Sequence, residues 1–272
     1  SGIVWAGAGL LVATKLRGEA ASEITGYVQA MRARMKAVAV PAELGSFIDT
    51  CGTGGDGLGT FNVSTVAAFV VAGAGVRVAK HGNRSASGTF GSADVLEALG
   101  VRLDLTPEDS ARAIAEVGIT FLFAPAHHPA MAHARTARTE LRMRTVFNLL
   151  GPLSNPAGAP RQLIGAPSER AAALMAEALL ELGTTERTFL VHGHDGLDEV
   201  STTGSTAVWE VFGGGIREHL WTPSDFGLPR ATLSQLIPAS KDENVGIARA
   251  VLEGKGGAAR DIVLANAAAA LL

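Results

Sequence analysis

Residues 46–65 decide the fold prediction, and they read SFIDTCGTGGDGLGTFNVST. A short apolar run at 46–49 predicts a buried strand, and the apolar stretch at 61–72 predicts a helix entered through Asn62 and Ser64. Successive amides of a glycine loop between a strand and a helix can surround an anion, and the helix N-terminus adds positive potential. The segment therefore predicts a phosphate site at the edge of an α/β sheet, although a turn that merely needs glycines stays an alternative.

Strand and helix patterns alternate along the rest of the chain. Strands are predicted at 76–79, 119–123 and 188–192, an extended segment at 145–148, and a hairpin at 208–212 and 216–221. Helices are predicted at 2–14, 19–38, 92–99, 106–117, 129–141, 168–182 and 240–252. We expect an α/β fold with an open, mainly parallel central sheet flanked by helices. Residues 1–43, joined by helices from about 129–150, would form a small helical domain, and 44–272 the α/β domain.

Composition limits the classes of function. The 272 residues are 47% hydrophobic and 18% charged, with a mean hydropathy of +0.24, which excludes disorder for most of the chain. Lys and Arg number 23 against 26 Asp and Glu, and a net charge of −3 argues against broad capture of nucleic acid or anionic lipid. The one cysteine cannot close an internal disulfide and favours a reducing cytoplasm.

The two ends of the sequence carry expectations of their own. The apolar run at 2–14 is too short to span a bilayer and lacks the basic region of a signal peptide, so we interpret it as a buried helix. The sequence starts without methionine, and the run at 266–272 stops within a helical pattern. We therefore expect a piece of a longer protein, with an incomplete small helical domain.

Two further motifs follow predicted strands. Residues 80–88, KHGNRSASG, lie on the same sheet edge as the glycine loop, where Lys80 offers a point charge and Arg84 a planar fork for phosphates. Asp198 and Glu199 follow the strand that ends at His192. Neighbouring carboxylates repel each other unless a cation lies between them, and Mg²⁺ prefers one or two carboxylates with phosphate oxygens and water. The three motifs together predict a crevice for a phosphorylated sugar, while the 80–88 segment or the acidic pair taken alone would also fit a solvated surface.

Other motif interpretations fit poorly. Gly52, Gly54 and Gly57 satisfy G-x-G-x-x-G, but the helix starts several residues later and no acidic residue stands about twenty residues on, as a dinucleotide fold requires. No Gly-Lys-Ser/Thr follows, which excludes a P-loop. Cys51 lacks a visible histidine partner for a nucleophile. Two groups of histidines superficially resemble metal ligands but lack a recognised zinc spacing: His127, His128 and His133, and separately His192 and His194.

The motifs taken in order resemble those of a known family. They are GTGGD at 52–56, NVST at 62–65, KHGNR at 80–84, GSAD at 91–94, NLLGPLSNP at 148–156, and the Asp198-Glu199 pair. This set resembles the anthranilate phosphoribosyltransferase family, over at least residues 49–201. The resemblance implies a fold related to pyrimidine nucleoside phosphorylases, a homodimer, and Mg²⁺-dependent transfer of phosphoribosyl from phosphoribosyl pyrophosphate (PRPP) to the amine of anthranilate in tryptophan synthesis.

The resemblance also assigns site residues. PRPP would be held by Gly52, Gly55, Asp56, Thr60, Asn62, Val63, Ser64, Thr65, Lys80, His81, Gly82, Asn83, Arg84, Ser85, Ala86, Ser87, Gly88 and Ser92. Anthranilate would contact Gly52, Asn83, His128, Arg138 and Pro152. Two Mg²⁺ ions would be held by Ser64, Asp198 and Glu199, and catalysis would rest on Lys80, Asp198 and Glu199.

The sequence departs from the family pattern in two places. Thr89-Phe90 stands where the family often has a small hydroxyl residue, and the family starts earlier and continues past Leu272. Two alternative functions stay open: a pyrimidine nucleoside phosphorylase-like enzyme, and a noncatalytic nucleic-acid-binding relative of the same fold. The charge of −3 and the acidic pair speak against the second.

Overall fold

The computed structural model describes residues 2–54, 56–85 and 90–272. Its strands are β1 (Ile48–Gly52), β2 (Val78–Gly82), β3 (Ile119–Phe123), β4 (Arg161–Gly165), β5 (Arg187–Gly193), β6 (Thr206–Phe212) and β7 (Gly215–Trp221). They form one sheet in the order β3-β2-β1-β4-β5-β6-β7. The pairings are parallel from β3 to β5 and antiparallel for β6 and β7. The predicted fold class, a mainly parallel sheet flanked by helices, is confirmed.

Helices cover both faces of the sheet. They are α1 (Gly2–Arg17), α2 (Ala21–Arg32), α3 (Val63–Gly73), α4 (Ser92–Ala98), α5 (Pro107–Glu116), α6 (Ala124–His127), α7 (Ala132–Leu141), α8 (Phe147–Leu150), α9 (Glu169–Leu182), α10 (Lys241–Leu252) and α11 (Ala258–Leu271). Short 3-10 turns lie at Ala42–Leu44, Pro129–Met131, Pro152–Ser154, Pro223–Phe226 and Leu233–Gln235. In the described residues no helix combines the length and apolarity that crossing a membrane requires.

Local sequence signals explain several element boundaries. Ser168 and Ser240 cap α9 and α10, because each hydroxyl accepts a hydrogen bond from the amide three residues on, at 3.2 and 3.1 Å. Gly213 and Gly214 have φ of +61° and +77°, which suits the two-residue turn of the β6–β7 hairpin. The predicted hairpin is therefore confirmed.

Each face of the sheet has its own apolar core. One core includes Ile24 of α2, Met175 of α9 and Leu190 of β5. The core on the opposite face includes Val66 of α3 and Ile262 of α11. The N-terminal helices join the first layer, since α2 packs on α9 and α8, and α1 packs on α7.

The prediction of an extended segment at 145–148 was wrong. Residues 145–148 are not extended: Asn148 N donates to Thr145 O at 2.9 Å, and helix α8 starts at Phe147. The central strand β4 was missed, because its sequence RQLIG lacks the alternation or apolar run that indicates a strand. Pairing with β1 and β5 on both sides holds it in place.

The second predicted helix was too long. It extends over Ala21–Arg32 and not to residue 38. Beyond it, Lys36 N donates to His127 O at 2.8 Å and Val38 N donates to Pro156 O at 2.9 Å. These tertiary backbone hydrogen bonds take the place of helical ones.

Candidate active site

The carboxyl ends of β1, β2, β4 and β5 lie at one edge of the sheet, because all four strands are parallel. The glycine loop follows β1, the 80–88 segment begins in β2, and the acidic pair follows β5. This edge is where open α/β sheets bind ligands. The three motifs therefore meet at one place, as the sequence predicted.

The acidic pair contacts the glycine loop and the helix behind it. Glu199 Oε1 accepts a hydrogen bond from Ser64 N, in the first turn of α3, at 3.1 Å. A Cβ atom on Gly52 would lie 3.1 Å from Asp198 Oδ2, and one on Gly165 would lie 1.7 Å from Asp198 O. Glycine at these two positions lets the chain of the acidic pair approach the ends of β1 and β4.

Lys80 links the second motif to the same place. Its side chain is 3% exposed, and its Nζ donates to Thr50 O and, at 3.4 Å, to Ser64 Oγ. Ser64 thus lies between the Lys80 ammonium and the Glu199 carboxylate. One residue of α3 connects the two charged groups that the sequence assigned to catalysis.

The charges at this edge are imperfectly balanced. Burial raises the pKa of Asp198, the Asp56 carboxylate raises it further, and Arg144 opposes the shift. Burial also raises the pKa of Glu199, together with repulsion from Asp198 and against the attraction of Lys80. Burial lowers the pKa of Lys80, and the carboxylate of Asp49 opposes it. A bound cation would relieve the excess of negative charge around Asp198 and Glu199.

The residues present fit a hard divalent cation. The donors that the acidic pair and Ser64 offer are carboxylate and hydroxyl oxygens, which are the ligands that Mg²⁺ prefers. Within the described ranges, no group of three or more His, Cys, Asp or Glu is arranged to hold a metal ion by itself.

Lys80 and His81 point to opposite faces of the sheet. The structure extends β2 to Gly82, so successive side chains alternate. His81 Nδ1 lies 3.0 Å from Gly151 O, and the His81 ring packs 5.1 Å from that of His128. Burial lowers the pKa of His81 to about 3 and that of His128 to about 4, so both rings are neutral at pH 7. The prediction treated residues 80–88 as a single receptor, but the side chains of its first two residues serve different faces.

Arg84 already has anionic partners within the protein. Its guanidinium lies 2.8 Å from Asp94 and 2.9 Å from Glu97. Asn83 Oδ1 accepts from Arg84 N at 2.7 Å, and Ser92 Oγ donates to Asn83 O at 3.2 Å. A phosphate contact through the Arg84 side chain would have to compete with these two carboxylates, whereas Asn83 and Ser92 frame the end of β2.

The other predicted PRPP residues surround the glycine loop. Asp56 Oδ1 accepts from Leu58 N at 3.0 Å, and Asn62 Nδ2 donates to Phe90 O at 3.0 Å. The Thr65 hydroxyl is buried and has no hydrogen-bond partner in the described part of the chain. Val63 is buried, and Thr60, Gly82 and Ser85 are half-buried. Gly55, Ala86, Ser87 and Gly88, and Thr89 of the noted departure, lie outside the described residues.

Of the predicted anthranilate residues, the structure places His128 on the His81 face of the sheet. His128 packs on His81, which also contacts Gly151, the neighbour of buried Pro152. Arg138 of α7 lies over the Phe147 ring at 5.5 Å, and burial lowers the pKa of Arg138. Gly52 and Asn83 lie at the ends of β1 and β2. The set therefore includes residues of the sheet edge, α7 and the 147–154 segment.

Sequence reasoning missed the buried amides that connect these elements. Asn244 of α10 and Asn62 pair side chain to side chain, with Asn244 Nδ2 3.0 Å from Asn62 Oδ1. Asn155 Nδ2 donates to Asp49 Oδ2 and to Ala79 O, both at 2.8 Å. Asn155 lies in the quoted NLLGPLSNP motif, and its place in this motif was the sequence feature that could have indicated its role. Nothing in the local pattern around Asn244 indicated a contact with residue 62.

Comparison with known proteins agrees with this geometry. The α/β domain of the glycosyl transferase family matches residues 44–272. Anthranilate phosphoribosyltransferase of Solibacter usitatus is 56% identical over 265 residues, which are 97% of this chain and 78% of that protein. The chain belongs to the anthranilate phosphoribosyltransferase family.

Solved structures of the family superpose closely on this chain. The crystal structure of anthranilate phosphoribosyltransferase from Thermus thermophilus has a TM-score of 0.90 at 48% identity, over 97% of this chain and 78% of that one. The Saccharomyces cerevisiae enzyme in complex with PRPP and Mg has a TM-score of 0.88 at 33% identity, over 96% of this chain and 74% of that one. The resemblance stated from the motifs is confirmed, and the chain is an enzyme of the pentosyl-transferring class. Neither alternative function is favoured.

Proposed function

We propose that this chain transfers the 5-phosphoribosyl group of PRPP to the amine of anthranilate, giving N-(5-phosphoribosyl)anthranilate and pyrophosphate, with Mg²⁺. The observation that carries the proposal is the placement of Ser64 between Lys80 and Glu199 at the end of the glycine loop. Ser64 thereby joins the glycine loop, the 80–88 segment and the acidic pair at one sheet edge. The complex of the yeast relative with PRPP and Mg supports the ligand assignment.

The PRPP site is proposed to consist of backbone amides and hydroxyls around the N-terminus of α3. The buried Thr65 hydroxyl, which has no hydrogen-bond partner among the described residues, and the helix N-terminus both favour an oxygen-rich anion. Lys80, with its charge fixed behind the loop, would stabilise the negative charge that develops on departing pyrophosphate. Arg84 would bind phosphate only after exchange of its ion pairs with Asp94 and Glu97.

We assign Mg²⁺ to Ser64, Asp198 and Glu199, with Glu199 serving two ions. When bound, the metal would supply neutralisation of the pyrophosphate charge. Glu199 is already oriented by the Ser64 amide, and Asp198 is held against Gly52 and Gly165. The carboxylates therefore need little rearrangement to accept the ions.

The acceptor is proposed to lie on the His81 face, against His128 and Pro152, with Asn83 and Gly52 at the sheet edge. Arg138 would bind the anthranilate carboxylate, because a planar guanidinium matches a carboxylate in two parallel hydrogen bonds. The arylamine of anthranilate is uncharged near pH 7, so a strong general base is not required. The neutral His81 and His128 rings are consistent with a flat, partly apolar channel.

The remaining assignments complete the proposal. Residues 1–43 with helices from about 129–150 would form the small helical domain, residues 44–272 would form the PRPP-binding domain, and two copies would form a homodimer in the cytoplasm. Exposed apolar side chains on α1, including Leu10 and Leu16, support an interface there. Sedimentation of the purified protein over a range of concentrations tests the dimer.

The reaction is tested directly with purified protein, PRPP, anthranilate and Mg²⁺. We expect anthranilate fluorescence to decrease with time only when all four components are present. Single omissions and a reaction with a pyrimidine nucleoside and phosphate are the controls. Turnover of the nucleoside, with no loss of anthranilate, would contradict the proposal.

A further inference from the structure

Asn266 of α11 contacts the chain immediately after the acidic pair. Its side chain is fully buried, and its amide is paired with the backbone of Val200 on both sides. Asn266 Nδ2 donates to Val200 O and Val200 N donates to Asn266 Oδ1, both at 2.9 Å. Nδ2 also donates to Ile262 O at 2.9 Å. The side chain thus uses both donor hydrogens and its acceptor within the protein.

The segment that Asn266 holds lies outside the regular elements of the fold. Residues 194–200 between β5 and β6, all of them described by the structure, form turns and bends, without a strand partner for residue 200. A buried backbone N–H and C=O need hydrogen-bond partners, and Asn266 supplies both to Val200. Its amide therefore does for Val200 what a neighbouring strand does for a residue of a sheet.

Val200 is covalently next to Glu199, so the position of one sets the position of the other. The Val200 N–H belongs to the peptide group that carries the Glu199 carbonyl, and this group is planar. The Val200 side chain is fully buried in a core with Leu163 and Ala265, which fixes the residue from its other end. At its far end, the Glu199 carboxylate is held by Ser64 N.

We infer that Asn266 is a positioning residue for the Mg²⁺–PRPP site, which acts on the acidic pair through the Val200 backbone. The inference rests on the proposed function of Asp198 and Glu199. Helix α11 has apolar packing residues besides Asn266, since Ile262 and Val263 are fully buried on the same helix. A metal site requires its carboxylates at precise positions, and an apolar contact at residue 266 would not specify the position of the acidic pair. This requirement explains why a polar side chain stands at residue 266.

The experiment compares Asn266→Ala with Val263→Ala, a matched control on the same helix that removes buried apolar contacts. For each variant the thermal midpoint, the half-saturating Mg²⁺ concentration, and the KM values for PRPP and anthranilate are measured. Calorimetric titration of PRPP in the presence of Mg²⁺ gives a readout that does not depend on turnover. Asn266→Ser is the second variant, since it removes less of the side chain.

We expect the Asn266 variants to raise the half-saturating Mg²⁺ concentration and weaken PRPP binding about 10- to 100-fold, as loss of an outer-shell contact does. The KM for anthranilate should change less than about twofold, because the residues proposed to bind the acceptor do not include Asp198 or Glu199. Val263→Ala should lower the thermal midpoint and leave Mg²⁺ and PRPP binding unchanged.

Three outcomes would overturn the inference. Asn266 variants that bind Mg²⁺ and PRPP like the wild type, with only a lower thermal midpoint, would show a purely structural residue. An equal loss of Mg²⁺ binding in Val263→Ala would show that the effect is not specific to Asn266. Failure of both Asn266 variants to fold would show that Asn266 is required for the fold. If the wild-type protein itself neither binds PRPP with Mg²⁺ nor consumes anthranilate, the proposed function fails first, and this result is separable from any effect of residue 266.

Discussion

At the residue scale, the acidic pair combines function with a cost in stability. Burial raises the pKa values of Asp198 and Glu199, assisted by repulsion from Asp56 at Asp198 and from Asp198 at Glu199, so their ionised forms are unfavourable in the metal-free protein. At pH values between the pKa of the unfolded state and the raised pKa of the folded state, such a carboxyl group binds more protons in the folded state than in the unfolded state. Their contribution to the free energy of unfolding therefore falls as pH rises through this window.

Asp198→Asn is expected to stabilise the metal-free protein and impair the enzyme. The amide removes one buried charge, so the difference in unfolding free energy between variant and wild type should grow from pH 5 to pH 8, to on the order of 1 kcal/mol. Mg²⁺-dependent turnover should fall at least about 100-fold. Urea unfolding in EDTA at several pH values and initial rates measure the two effects. A variant that is less stable at pH 8 than at pH 5, relative to the wild type, would contradict the assigned pKa direction.

Arg138→Ala is expected to weaken use of anthranilate and to spare the donor. The guanidinium is proposed to hold the acceptor carboxylate, so the KM for anthranilate should rise at least about tenfold while that for PRPP stays near the wild-type value. Steady-state kinetics with each substrate varied in turn give both constants. Arg135→Ala on the same helix is the control. An unaltered anthranilate KM would reject the role of Arg138.

At the element scale, the ends of the parallel strands decide how closely the motifs approach. β1 and β4 end in glycines that are paired with each other, Gly52 and Gly165, and both face Asp198. A side chain at either position would occupy the space of the acidic pair. The two glycines differ in the atom that an added Cβ would meet first. At Gly165 it is the backbone carbonyl oxygen of Asp198, and at Gly52 it is the movable side-chain carboxylate of Asp198.

Gly165→Ala is expected to be more damaging than Gly52→Ala. The Gly165 Cβ would lie 1.7 Å from Asp198 O, so the backbone of the acidic pair must shift, with a loss of roughly 2 kcal/mol or more. At Gly52 the neighbour is a side-chain oxygen at 3.1 Å, and the expected loss is about 1 kcal/mol. Chemical denaturation gives the unfolding free energy of each variant, and titration of activity with Mg²⁺ gives the half-saturating Mg²⁺ concentration of each.

Gly26→Ala is the matched control for these substitutions. Gly26 lies in α2, and a Cβ there would meet nothing within 4 Å. The substitution should raise the unfolding free energy by up to about 1 kcal/mol through helix propensity, with activity unchanged. Equal stability losses at residues 52 and 165 would be inconsistent with the steric argument.

At the scale of the whole molecule, the sheet edge gathers charged groups from distant parts of the sequence. Ser64 belongs to α3, Lys80 to β2 and Glu199 to the connection between β5 and β6, and α11 packs on α3 behind them. Ligand binding to such a site requires the entire fold. Binding energy is therefore added to the stability of the whole domain.

PRPP with Mg²⁺ is expected to raise the thermal midpoint of the protein. A ligand at 100 times its Kd adds about 2.7 kcal/mol, which corresponds to roughly 5 to 10 °C for a domain of this size. PRPP in EDTA should give a clearly smaller rise, because the phosphates then meet Asp198 and Glu199 without a cation. Differential scanning fluorimetry measures both, with Asp198→Asn as the comparison. Equal shifts with and without Mg²⁺ would argue against the metal site.

The motifs that meet at the sheet edge were identified from the sequence. The glycine loop, Lys80 and the Asp198-Glu199 pair were recognisable because their chemistry is local: amides near a helix N-terminus, one cation, two adjacent carboxylates. Parallel strand order then predicted that they share an edge. Strand β4 was missed, and part of helix α8 was predicted as extended. Both elements lack a periodic pattern, because β4 is a central strand with two polar residues and α8 has only four residues.

The sequence by itself determined the fold class, the family and the types of group available at the site. Only the tertiary structure decided which faces these groups occupy: that Lys80 and His81 diverge, that Arg84 is taken by Asp94 and Glu97, and that Asn244 and Asn266 hold the site from the C-terminal helices. The physical reason is that periodicity and capping act within a few residues of the chain. Hydrogen bonds such as that of Asn266 with Val200 join residues 66 positions apart, and only a complete fold brings them together.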